Sequence, residues 1–145
     1  MGDSVDPKAF KVPVIGGHSG ATILPLHSQA EPSVNIDEEV LAGVNHRVQF
    51  GGDEIVKSKQ GASSATTCMA YAGFRFVKGL LAARNGETVT EEAYTFLVSL
   101  EIALGEAGAT KALPIGEISE SEKGLLELLL ELNGNIETGL AFVGV

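Results

Sequence analysis

Residues 12–26 read VPVIGGHSGATILPL, and how they are read decides the fold. Lys11 to Ile15 alternates weakly and is β-branched, the pattern of a strand. Gly16, Gly17 and Gly20 break that pattern around His18. Thr22 to Ser28 is apolar and β-prone again, but Pro25 has no N–H to give a ladder and confines its strand to an edge or a bulge. Strand, glycine loop and strand predict a hairpin with His18 in the loop. A histidine beside glycines is free to meet a ligand, and imidazole suits proton exchange near neutral pH. It is also an ordinary turn residue, and on spacing alone the turn reading is the stronger.

Working outward, residues 1–9 read as an acidic lead-in containing Pro7. Asp37 is placed to N-cap a helix, with Glu38 and Glu39 favourable in its first turn. Val40, Leu41, Val44 and Val48 follow at helical spacing, and Gly51-Gly52 predicts the end of that helix. Ala65, Met69, Ala72, Phe76, Leu80 and Ala83 form the most sustained helical stripe, closed by Gly86. The helix is rich in small residues, so it is expected to be sandwiched between neighbours. Ser63 to Thr67 is expected to begin it, offering N–H groups and hydroxyls to a ligand's polar end or simply capping the helix. Residues 92–104 suggest a strand or a bent pair, residues 105–110 a turn, and residues 111–118 another short strand. Ser119 and Glu122 fit a capping box before a final helix carrying Leu125, Leu128, Leu129, Leu132 and Ile136, with a kink or split expected at Asn133-Gly134. Strands and helices are segregated rather than alternating, which is an α+β arrangement.

Composition narrows the function. The 145 residues suit one domain, and 44% hydrophobic content supports a core. A net charge of −9 with dispersed Lys and Arg argues against nucleic acid and against anionic membranes as partners. The lone cysteine, Cys68, excludes an intramolecular disulfide and a Cys-rich zinc site, and it fits an intracellular, soluble protein of unassigned compartment. His18, His27 and His46 match no common metal-ligand spacing, so no metal is expected. No apolar run reaches membrane-spanning length. Neither G-x-G-x-x-G opening a βαβ unit nor G-x-x-x-x-G-K-[ST] occurs, so a nucleotide cannot be held by those means.

Three longer segments carry a resemblance. VPVIGGHSGATILPLHSQ resembles the catalytic-histidine segment of NAD-dependent malate dehydrogenases, within the lactate/malate dehydrogenase family. VKSKQGASSATTCMAYAGFRF resembles that family's long helix, and IGEISESEK with the Leu-rich tail resembles its C-terminal end. The resemblance runs from about Asp6 to Val145. It implies the family's C-terminal domain over residues 10–145 after a lead-in at 1–9, with antiparallel strands and hairpins packed against long helices. The N-terminal Rossmann half, the carboxylate that pairs with the histidine and the substrate arginines have no counterpart here. Ser63 stands where the family commonly has glycine.

By that resemblance His18 is the proton-transfer residue between malate and oxaloacetate. Gly17, Ala65 and Thr66 lie beside the substrate, and Met69 lies against the nicotinamide of NAD. Faces of helices near 38–50 and 62–84 make a homodimer. The implied enzyme is an oxidoreductase whose isolated C-terminal part is expected to be inactive, because hydride transfer needs an oriented cofactor. The alternatives are a non-catalytic self-association module derived from the same fold, and a domain of another 2-hydroxy acid dehydrogenase.

Overall fold

The computed structural model describes residues 6–18, 20–94, 99–127, 129 and 131–144. The expected hairpin forms. Strand β1 (Val14–Gly16) pairs antiparallel with β2 (Ile23–Pro25), with Ile15 opposite Leu24. Pro25 is tolerated because β2 is the edge of the sheet. Both strands are shorter than the sequence suggests. Lys11 makes only an isolated bridge to Glu31, and a 3-10 turn at His27–Gln29 ends the second apolar run. The lead-in is not wholly loose: Pro7–Ala9 forms a 3-10 turn, with Asp6 Oδ1 accepting from the Lys8 amide at 3.0 Å.

Helix α1 (Glu38–Ser58) runs straight through Gly51-Gly52, past the end expected there. Two glycines cost about 1 kcal/mol each relative to alanine in a helix interior, too little to stop one that continues into Asp53–Ser58. Asp37 is the N-cap residue, although its side chain makes no capping hydrogen bond. Helix α2 (Thr67–Arg84) begins at the end of the Ser63–Thr67 stretch, with Thr66 as its cap. It stops before Gly86, whose φ of +89° suits glycine.

Strands β3 (Val89–Tyr94) and β4 (Ser99–Gly105) are the bent pair expected over 92–104, in register from Val89–Leu104 to Tyr94–Ser99. Strand β5 (Gly108–Ala112) takes the other edge of β4 near its end. It therefore begins inside the stretch expected to be a turn; beyond it the Leu113 amide still donates to the Glu101 oxygen of β4 at 2.8 Å, and residues 114–118 run on outside any strand. Gly16 pairs with Ser99, which among the described residues is where the hairpin joins the rest of the sheet, in the order β2-β1-β4-β3.

The capping box at Ser119 and Glu122 starts α3 (Glu120–Glu127), and α4 (Glu131–Val143) follows. The break precedes Glu131, so Asn133-Gly134 lies inside α4 and does not split it. Leu128 lies outside the described residues.

Among the described residues two small apolar clusters result. Ile15, Leu24 and Leu26 pack with Leu100, Ile115, Ile118, Leu125 and Leu126. Ala83, Ile102 and Leu104 pack with Phe76, Val89 and Ala93. The second cluster uses only the C-terminal half of the α2 stripe. Phe76, Gly79 and Ala83 reach the sheet, where Gly79 lies against Glu91 and Val89. Met69 is 59% exposed, and Tyr71, Phe74, Val77 and Leu81 are open as well. Within this chain α2 is therefore largely exposed, contrary to the sandwiched position expected from its small residues. No helix among the described residues is long and apolar enough to cross a membrane.

Candidate active site

The His18 loop is built on tightly constrained backbone. Gly16 has φ +93°, and a Cβ there would lie 2.2 Å from the Thr22 carbonyl oxygen and 2.8 Å from Leu129 Cδ2. Only glycine fits. The Gly17 amide then donates to the same Thr22 oxygen at 2.8 Å, closing the loop across its neck. A 3-10 turn at Gly20–Thr22 leads back into β2. His18 sits at the bend between, exposed to solvent.

Helix α1 braces this loop from one side. Gly20, at φ +49°, faces the ring of Phe50. Gln49 Nε2 donates to the Ala21 oxygen at 3.4 Å and to the Ile23 oxygen at 3.1 Å. One helical turn earlier, Asn45 Oδ1 lies 3.0 Å from His27 Nε2. His46 stacks on Phe50 with ring centroids 4.7 Å apart. The three histidines thus have distinct settings: His18 at a loop tip, His27 tied to α1, and His46 on the helix surface.

The other side is held by α3. Glu122 is buried and accepts from the Ser28 amide at 3.0 Å, the Ser28 hydroxyl at 2.5 Å, the Ser119 amide at 2.7 Å and the Ser119 hydroxyl at 2.8 Å. Burial works against its charge, but these donors together outweigh it and hold the carboxyl below the usual range. The capping box was legible in the sequence; its second use as an anchor for Ser28 was not, because the two partners are far apart in the chain.

The remaining expected site residues lie at the start of α2. Ala65 is half-buried and its carbonyl accepts from Ser63 Oγ at 3.2 Å. Thr66 is exposed, with Lys59 Nζ donating to its hydroxyl at 3.3 Å. Met69 projects from the first turn. Among the described residues, no hydrogen bond joins His18 or Gly17 to Ala65, Thr66 or Met69. His18 and Gly17 are carried by the hairpin loop, and Ala65, Thr66 and Met69 by the start of α2.

A cleft of about 540 Å³ lies elsewhere, between Phe10–Val12, α2 and strands β3 and β4. It is charged: Lys11 pairs with Glu101 at 2.7 Å, and Arg75 with Glu91 at 3.0 Å. The Lys11 hydrogen bond holds the Glu101 carboxyl low and raises the Lys11 ammonium, while partial burial pushes Glu92 up. No residue of the His18 loop lines it.

Residues 2–143 match the lactate/malate dehydrogenase alpha/beta C-terminal domain. The chain belongs to that family. It is 44% identical over 146 residues to malate dehydrogenase of Vibrio vulnificus strain YJ016, covering 95% of this chain and 47% of that protein. It is 45% identical over 149 residues to mitochondrial malate dehydrogenase of Felis catus, covering 96% of this chain and 44% of that protein. The chain thus spans about half the length of the curated relatives it matches. The fold agrees with that of Cryptosporidium parvum malate dehydrogenase at a TM-score of 0.72 and 20% identity, over 94% of this chain and 48% of the other. The α+β arrangement expected from the sequence is therefore that of this family's C-terminal domain.

Proposed function

We propose that this chain is the substrate-side part of an NAD-dependent malate dehydrogenase and that His18 is its proton-transfer residue. The observation that carries the reading is the 44% identity across 95% of the chain to a malate dehydrogenase. It is supported by the placement of His18 at an exposed bend on a glycine-constrained neck. When bound, NAD supplies or accepts the hydride at the substrate carbon. His18 gives a proton to the carbonyl oxygen of oxaloacetate, and in reverse removes the hydroxyl proton of malate. Gly17, Ala65 and Thr66 would lie beside the substrate. Met69, open on the first turn of α2, offers its thioether to the nicotinamide ring. These residues fit one end of the cofactor. Without a glycine-rich βαβ loop they do not hold its pyrophosphate, so most contacts to NAD would come from a Rossmann partner domain.

The test joins this chain to the N-terminal half of the Vibrio vulnificus relative and follows NADH consumption with oxaloacetate. Turnover is expected in the joined protein and none in the chain alone. His18→Ala is expected to reduce turnover by about 10²–10⁴-fold. Undiminished turnover in His18→Ala refutes the assignment. Steady turnover by the chain alone, abolished by His18→Ala, refutes its predicted inactivity.

One observation also favours self-association, either as the homodimer of the enzyme or as a non-catalytic module. The chain exposes 10608 Å². A monomeric protein of 15.1 kDa exposes about 7,100 Å² by size scaling. Exposed apolar side chains include Met69, Tyr71, Phe74, Val77 and Leu81 of α2 and Val40, Val48 and Ile55 of α1.

A further inference from the structure

We infer that Gln49 is a positioning residue for His18, acting by holding the returning arm of the loop neck, on either side of Thr22, through its side-chain amide. The inference rests on the reading of His18 as the proton-transfer group and adds the element that fixes where its ring stands.

Three observations converge on Gln49. First, the neck is closed where the β1–β2 pairing ends at Gly16–Ile23 and the Gly17 N–H donates to the Thr22 oxygen. Residues on both sides of Thr22 offer their carbonyls to one donor: Gln49 Nε2 reaches Ala21 and Ile23. An amide NH₂ carries two protons, so it serves both acceptors at once. Second, the next residue along α1, Phe50, lies against Gly20 at the other end of the His18 bend. The helix therefore touches the loop at residues 20, 21 and 23, using the adjacent residues Gln49 and Phe50. Third, α1 is a 21-residue helix with Asn45 bonded to His27 one turn earlier, so the amide is mounted on a support already registered to the hairpin. A residue mounted on a helix and bonded to two loop carbonyls transmits a fixed geometry that a short glycine loop lacks by itself.

The amide, rather than the bulk, is the working part. Gln49→Met keeps the length and volume and removes both donors. Gln49→Glu keeps the shape and turns a donor toward two carbonyls into an acceptor.

The experiment is hydrogen exchange and NMR on the full 145-residue chain. In Gln49→Met the Gly17 amide is expected to lose protection by about tenfold relative to the Ile102 and Leu104 amides of β4, with a greater loss in Gln49→Glu. The His18 ring resonances are expected to broaden or split as the loop samples more than one position. That signature would not follow from lost packing alone, since methionine fills the space. If Gly17 protection and the His18 ring spectrum in Gln49→Met match those of the wild type, the inference is overturned. Should the variants not fold, the wild type decides it. The Gln49 Nε2 protons are expected to exchange about tenfold more slowly than those of exposed Gln60, and equal rates overturn the inference. None of these readouts depends on turnover, so they stand or fall separately from the catalytic role of His18.

Discussion

Glu122→Ala tests whether α3 is an anchor for the histidine hairpin or only its neighbour. Glu122 is 5% exposed and collects four hydrogen bonds from Ser28 and Ser119. Truncation lets the two hydroxyls rotate toward other partners at small cost. It leaves two backbone amides that had been bonded to a carboxylate. Each such loss costs about 1–2 kcal/mol, for a total of about 3 kcal/mol. For a chain of this size that lowers the melting temperature by about 10 °C. The pH dependence gives a second check. The folded carboxyl is held below its usual value, so its contribution is fully present above the unfolded pKa of about 4.3 and is lost as pH falls through the lower folded value. The gap between wild type and Glu122→Ala is therefore expected to narrow on acidification from pH 7 to below pH 4. Urea unfolding followed by circular dichroism measures both quantities. A gap under about 0.5 kcal/mol at pH 7, or one unchanged at acid pH, would refute the anchoring argument.

Other outcomes follow from single contacts. Gly16→Ala places a methyl 2.2 Å from the Thr22 oxygen at a φ of +93°, so a loss of about 2–3 kcal/mol and a disturbed Gly17 amide resonance are expected; a wild-type melt contradicts the geometry. Phe74→Glu puts a charge on an α2 side chain that is 62% exposed, so monomer stability should change by less than about 0.5 kcal/mol while self-association falls. Sedimentation velocity separates the two effects, and unchanged association would show that α2 is not the contact.

The sequence made the hairpin legible because two local signals agree in it: β-branched runs on either side and glycines between. The capping box was legible for the same reason, since Ser119 and Glu122 are one turn apart. The end of α1 was not. Gly51-Gly52 is a strong local breaker, but Asp53–Ser58 continues the helix beyond it. The α2 stripe was legible as a helix and misleading as a measure of burial, because periodicity reports which face is apolar and not whether anything covers it. In the site, His18 stood out through its glycines. Gln49 did not, because a lone polar residue on a helix reads as solvent-facing. The available signal was Asn45 and Gln49 four residues apart, two amides on one face.

The pairing of Gly16 with Ser99, where β1 meets β4, has a mechanical consequence. His18 is carried by the cluster around Leu24, whereas Met69 rides on the helix that packs over Ile102 and Leu104. Among the described residues the two halves of the sheet meet at that rung, and Leu100 of β4, next to Ser99, packs into the first cluster. On the proposed reading, the alignment of a proton-transfer histidine on one half with a cofactor contact on the other is then set at the joint. Since misplacement by about 1 Å can reduce a rate by two orders of magnitude, residues around that rung are as exposed to selection as those that touch substrate.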